Sequence, residues 1–475
     1  MSQKAYFGEM NDINVCHIFR DAADFNRREL TCGRHRLIAY SIDGLIASAY
    51  ASDYIFKPIV QELSGRTLEE LYDEAMQGVV YNCVAVPCED LDHIAKLLVN
   101  GFCVVLFPGT GAIGFEVKTP DKRTTVPPEA ENTVKGAKDA FVETIRSNTS
   151  YIRRHLRSPD LRIYETQVGE CSLTNVAVVW LDGVTNLELV HRMKTRLSKI
   201  NIAGLITPAA VEEYITGSRK TPFPLLQYTE RSDRFCHGLL DGRVGVLVDG
   251  LPVGYLAPVD IGYLMNSPED YGRDYISASW TRILRYVALI VDLLLPSIFV
   301  AMTVHHVVWL PNVLGEVVLK SKQTVPFSAA WETIGLLIAF ELLQETGIHL
   351  PQNIGNSVSI IGGIVVGSAA AEAGVLSPVA LIAVSLAGIC GFVLPNRDLA
   401  NAIRVCRFAL TILAAFWGLY GIGAGLLVIL LHLGSLKSLG VLYLVPFEKG
   451  ILRRRMAAGK INSKTTEAGD ERKEK

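Results

Sequence analysis

The residues best placed to do chemistry lie in FELLQETGIHLP, 340–351, where Glu341, Glu345 and His349 recur every four residues in the most apolar third of the chain. On a helix such spacing puts all three on one face. Asp292 and Glu372 are two further carboxylates inside apolar segments. Acids in such surroundings suit either ion pairing or a polar path for cations. Signs of enzymatic chemistry are lacking: there is no Ser-His-Asp set, no P-loop and no His/Cys cluster at metal spacing. His305-His306 are neighbours that would face different ways on a helix, which suits packing or an interface better than a metal. No metal or other cofactor is expected, and the chain reads as a non-enzyme.

The helix carrying the acids cannot stand alone in lipid. About ten large apolar residues contribute roughly -0.5 kcal/mol each, while two charged glutamates at the centre cost about 3 kcal/mol each. The sum is near zero, so the 331–350 segment must turn its polar face to protein, water or headgroups. It is either an interfacial or re-entrant helix, or the wall of a polar path.

The surrounding elements divide the 475 residues into a charged half and an apolar half. With 46 basic and 48 acidic residues, the balance gives no reason to expect nucleic-acid binding. The opening MSQKAYFGEMNDIN has no apolar core of a signal peptide, so the first half is expected in the cytosol. The nine cysteines are scattered without a CxxC pair and read as free thiols.

Residues 37–47, 81–87 and 103–107 read as strands, with helical patterns between them in TLEELYDEAM and DLDHIAKLLVNG. FPGTGAIGFEVK contains GxGxxG at Gly109, Gly111 and Gly114, but a dinucleotide site needs a helix to begin there, and FEVK continues as strand. The expectation is a glycine hairpin. Residues 1–118 thus form one α/β subdomain, 119–133 a linker and 134–280 a second α/β subdomain. The second opens with a helix from about Val134 to Leu156, then strands at 161–169 and 175–184 and a helix at 186–200. A tight hairpin turning at Asp249-Gly250 follows.

Residues 281–435 read as an all-α polytopic membrane domain of four or five spans, with 331–350 as the possible interfacial helix. The first span, 286–310, is long enough for a bilayer, and Arg282 and Arg285 before it favour the cytoplasm. Ser359, Gly363, Gly367 and Ala371 form a small-residue face suited to close helix packing. A four-span count places Arg397, Arg404 and Arg407 outside. A fifth span misplaces the basic tail, 436–475, unless 405–433 folds as a hairpin.

Several long motifs together resemble the A subunit of the spore germination receptors, the GerA family. They are AKDAFVETIRSNTSYIRRHLRSPDLRI, TPFPLLQYTERSDR, LLDGRVGVLVDGLPV and SPEDYGRDY, then LRYVALIVDLLLPSIFVA, FELLQETGIHLP and SIIGGIVVGSAAAEAGVLSP. The likeness runs from about residue 30 to 450. It marks Glu230, Arg231, Asp233, Gly242, Arg243, Asp249 and Gly250 as motif positions with structural roles. Ser232 stands where the family usually has Pro, and Thr346 and His349 where it usually has Ala and Arg. The resemblance implies a multi-pass protein of the spore inner membrane with its N-terminal region in the cytosol. It implies homo-oligomers working with a transporter-like B subunit and a lipoprotein C subunit. The implied activity is a nutrient-gated cation channel that triggers germination, with Glu341, Glu345, Glu372 and Asp292 as pore or coupling candidates. The alternative is a scaffold or accessory sporulation membrane protein, like those of stage V sporulation AF type, that supports another channel.

Overall fold

A computed structural model describes residues 6–63, 67–80, 83–117, 128, 131, 137–205, 207–217, 221–323, 325–349 and 371–444. The protein has an α/β N-terminal region with antiparallel sheets and a helical C-terminal part. Two compact units divide the chain near Pro258: 1–219 with 226–258 and 438–440, and 220–225 with 259–437 and 441–475. The boundary lies earlier than residue 280, because Asp260, Asp270 and their neighbours bond within the second unit.

The first unit holds two five-stranded antiparallel sheets. The first contains β1 (Phe25–Cys32), β2 (His35–Ile42), β3 (Ala85–Cys88), β4 (Phe102–Phe107) and β5 (Gly111–Glu116), in the order β1-β2-β4-β5-β3. The glycine-rich stretch is the expected hairpin: Phe107 pairs with Gly111 across a turn in which Gly109 takes φ +82°. Gly114 serves packing. A Cβ there would sit 2.7 Å from Leu97 on α1 (Leu91–Val99), so glycine lets the helix lie against the sheet.

The second sheet contains β6 (Leu161–Val168), β7 (Thr174–Leu181), β8 (Gln227–Thr229), β9 (Val244–Val248) and β10 (Gly254–Ala257), ordered β6-β7-β9-β10-β8. Two sequence expectations are corrected here. The helix expected from Val134 is α2 (Ile145–His155), because the described residues 137–144 before it are not helical; residues 134–136 lie outside the described residues. Ala140 bridges Arg231, and the Phe141 N–H donates to Glu230 O at 2.7 Å. The hairpin at Asp249-Gly250 is not tight, since pairing starts only at Leu247 and Gly254. Asp249 is engaged elsewhere: its Oδ1 accepts from the Ile145 N–H at 3.0 Å and so caps α2. Gly250, at φ +85°, donates to Glu143 O.

The two sheets are braced by buried polar contacts. Asp24 beside β1 and Arg153 on α2 form a bidentate pair at 2.7 and 2.8 Å, each about 1% exposed. Arg162 Nη1 donates to Ile18 O and Arg20 O, and Tyr6 donates to Asp160. Helix α3 (Leu187–Leu197) covers the second sheet with Val190, Met193 and Leu197, and α4 is Ser232–Leu240.

The second unit is a helical bundle: α5 (Tyr275–Val304), α6 (Asn312–Lys322), α7 (Ala329–His349), α8 (Pro378–Phe392) and α9 (Arg397–Ser435). By length and apolar composition, α5 and α9 can cross a membrane. Helix α9 is two helices, broken at Gly418, whose φ of +55° and ψ of -136° leave the helical region. A Cβ at Gly421 would lie 2.2 Å from Leu413 O, and one at Gly425 2.5 Å from Leu410 Cδ2. Residues so far apart in a straight helix would be separated by about 12 and 22 Å. The chain therefore doubles back, giving arms of roughly 20 and 17 residues, about 30 and 25 Å long. The hairpin considered for 405–433 is what the structure contains.

Helix directions follow from pair contacts. Asp292 meets Arg407, and His305 Nε2 meets Ala415 O at 2.9 Å, so α5 and the first arm of α9 run parallel. The second arm returns to the end where α5 begins. There His432 bonds Thr221 at 2.9 Å, and Ile261 N donates to Tyr443 O.

Candidate functional site

Helix α5 supplies the centre of the site. Pro296 inside it lacks the N–H that would bond the Asp292 carbonyl one turn earlier, a local break in an otherwise regular span. The Asp292 side chain is 0% exposed and accepts from Arg407 Nη1. Arg407, 1% exposed, comes from the first arm of α9. Its Nη2 donates to Glu341 Oε1 on α7 at 3.2 Å. Arg404, one turn earlier on α9, donates to Glu341 Oε2 at 3.1 Å and also to Gln344 and Asn401. Helix α8 closes the fourth side with Gly391, where a Cβ would lie 3.1 Å from Asp292 Oδ2.

The cluster thus joins four helices and holds two acids and two arginines, with no net charge. It has a dry half and a wet half. Asp292 and Arg407 are sealed, with Asp292 Oδ2 and Arg407 Nε left without a hydrogen-bond partner. Glu341 and Arg404 keep 36% and 27% of their side-chain surface exposed. The remaining sequence candidates are placed differently. Glu345 and Glu372 are exposed, and Ala371 is half-buried. Ser359, Gly363 and Gly367 lie outside the described residues, as does the side chain of His349.

Of the 331–350 segment, one face of the described helix packs inside the bundle while Trp331, Leu342 and Glu345 stay exposed. Glu332 and Leu337 are 2% and 0% exposed, and Phe340 lies against Gly388 of α8. Sequence reasoning passed over Glu332 as a site residue. Its Oε1 accepts from the Ser377 N–H at the start of α8, with Lys322 Nζ 3.9 Å from Oε2. A second missed cluster opens α5. Arg282 and Arg285, expected to mark the cytoplasmic edge by charge alone, both bind the buried Asp270 at 2.7 to 3.1 Å. The sequence signal for Arg404 and Arg407 was present as basic residues that a four-span count puts outside and that a fifth span accommodates only by misplacing the tail, unless 405–433 folds as a hairpin.

The motif positions of the first unit are braces. Arg231 binds Asp233 through Nε and Nη2. Burial pushes the Asp233 carboxyl up, but the Arg231 bond and charge outweigh it and hold the group below its usual value. Gly242, at φ +84°, faces Val184 O where a Cβ would sit 3.2 Å away, and Arg243 donates to Pro258 O. The structure also assembles Asp139, His155 and Ser232, a set the sequence did not suggest. Ser232 Oγ and Asp139 Oδ2 both approach the same His155 Nε2, at 3.0 and 3.5 Å. A proton relay needs the carboxylate on the other ring nitrogen, and Ser232 is 0% exposed, so this is packing. Among the described residues no group of three or more His, Cys, Asp or Glu is placed to hold a metal.

Comparison with known proteins gives consistent matches. The family described as Bacillus/Clostridium GerA spore germination protein matches residues 14–464. Spore germination protein A1 of Bacillus subtilis (strain 168) is 34% identical over 364 residues, 76% of this chain and 75% of that protein. Spore germination protein KA of the same organism is 30% identical, covering 90% and 79%. The uncharacterized membrane protein YfkQ, also of Bacillus subtilis (strain 168), is 33% identical, covering 85% and 78%. A crystal structure of the N-terminal domain of the A subunit of the Bacillus megaterium spore germinant receptor GerK3 aligns with a TM-score of 0.41 and 24% identity, over 51% of this chain and 91% of that one.

Proposed function

This chain belongs to the GerA family of spore germination proteins, and from that premise we propose that it is an A-type subunit of a germinant receptor that conducts cations when germination starts. It works as a homo-oligomer in the spore inner membrane, N-terminal region in the cytosol, beside a transporter-like B subunit and a lipoprotein C subunit. The observation that supports a cation path is the placement of acids on α7. Glu345 is exposed and Glu341 half-exposed on a helix whose other face is buried in the bundle. Carboxylates repeated around an oligomer would raise the local cation concentration. Glu345 and Glu372 are the lining candidates, whereas Asp292, sealed on Arg407, couples helices. Ser359, Gly363, Gly367 and Ala371 are the helix-packing face.

The test is flux. Chain and partner subunits are reconstituted in liposomes loaded with rubidium, and efflux is compared with Glu345→Gln. The reading expects cation efflux whose preference over anions falls in the variant while assembly is unchanged. Absence of rubidium efflux in every combination of subunits would overturn it.

A second reading, an accessory scaffold for another channel, is favoured by one observation. Asp260, Asp270, Asp292 and Glu332, the buried acids among the described residues of the second unit, all have bases or backbone N–H groups on them, as helix packing alone would require. That reading expects Glu345→Gln to leave flux through the partner channel unchanged.

A further inference from the structure

We propose that Arg404, Arg407, Glu341 and Asp292 form a charge latch whose wet half opens while its dry half stays closed, so that Glu341 is withheld from the cation path until α7 moves. The inference rests on the reading of α7 as part of that path.

Glu341 is held from two sides, by Arg404 at 3.1 Å and Arg407 at 3.2 Å. Its carboxylate is therefore neutralised where it lies, while Glu345, one turn further along α7, is exposed. The two halves differ in how easily they part. Asp292 and Arg407 are desolvated, and separating them would leave two unpaired charges in a dry interior. Glu341 and Arg404 are partly wet, where an ion pair is weak. The arginines are also provided for. If Glu341 leaves with α7, Gln344 goes with it, but Arg404 keeps Asn401 on its own helix as an acceptor, and Arg407 keeps Asp292. Departure leaves one net positive charge on the α5–α9 side and returns one negative charge to the face carrying Glu345. The motion is hinged beside Phe340, whose ring fills the space that Gly388 leaves on α8. Turning α7 about that contact would carry Glu341 with it.

The experiment separates the latch from the path by using two readouts on the full chain in liposomes. The first is accessibility. Ala380 on α8 is 0% exposed and packs with Leu336 and Leu337 of α7. Ala380→Cys is labelled with a membrane-impermeant maleimide and read at that position by peptide mass spectrometry. The latch expects Arg404→Gln to raise the labelling rate at least tenfold, and the exchange Glu341→Arg with Arg404→Glu to return it toward the parent. The second is unstimulated rubidium efflux, expected to rise at least tenfold in Arg404→Gln and to fall back in the exchange. Unchanged labelling in a stably assembled Arg404→Gln protein overturns the latch. Should Arg404→Gln not assemble, Arg404→Lys, which keeps the charge but not the fork, is read by the same labelling, with the same result deciding. Raised labelling with no efflux leaves the latch standing and overturns the path.

Discussion

Asp292 and Arg407, 115 residues apart in sequence, face each other at the centre of the bundle with essentially no solvent between them. Removing one partner strands the other. Arg407→Met is expected to destabilise the chain by about 3–5 kcal/mol, and Arg407→Met with Asp292→Asn by clearly less, because the second change removes the orphaned charge. Thermal unfolding of detergent-solubilised protein measures both, and equal losses would contradict the pairing.

Gly388 and Gly335 form a matched pair of tests on facing helices. A Cβ at Gly388 would lie 2.4 Å from the Phe340 ring, while one at Gly335 meets nothing within 4 Å. Gly388→Ala is expected to cost about 1–3 kcal/mol through overpacking. Gly335→Ala should be neutral or stabilising by up to about 1 kcal/mol through helix propensity. Adding Phe340→Leu should recover part of the Gly388→Ala loss in the same unfolding assay.

Asp249 caps α2 from a distant loop, while the N-cap residue Thr144 makes no side-chain cap of its own. Asp249→Ala is expected to cost about 1 kcal/mol, with Asp249→Asn retaining most of the stability. Faster amide exchange confined to the first turn of α2 would locate the loss.

Asp12 gives the acid dependence of the first unit. The bonds from Arg27 lower its carboxyl below the usual value; burial opposes this, and the Tyr40 hydroxyl adds to the lowering. The folded form therefore binds that proton less readily than the unfolded chain. The stabilisation is complete above the ordinary aspartate range, near 4, and disappears as pH falls through the lowered folded value. Unfolding of the wild type should become easier across that interval, and Asp12→Asn should flatten this part of the pH profile. A profile unchanged by the substitution would rule Asp12 out.

Much of the α/β region was legible because its strands are apolar and its helices announce their starts. Thr67 and Glu70 form a capping box, and Asp90 caps α1. Strand β1 was not legible. FNRRELTC is an edge strand with four consecutive exposed residues, so no alternation marks it. The start of α2 was misplaced because the partners of 140–145 lie near residues 231 and 249, beyond any local pattern. The acids of α7 were visible from their spacing, but their arginines were not, since pairing Glu341 with Arg404 needs the fold of α9. The turn of α9 itself rests on the backbone of Gly418, one glycine among five between residues 391 and 425.

The turn at Gly418 settles the geometry of access. Because the second arm of α9 retraces the first, the chain leaves α9 at Ser435 on the face of the bundle where α5 starts. A probe attached at the exposed Leu442 would share a compartment with residues 259–274, and an impermeant quencher added from the opposite face would reach neither.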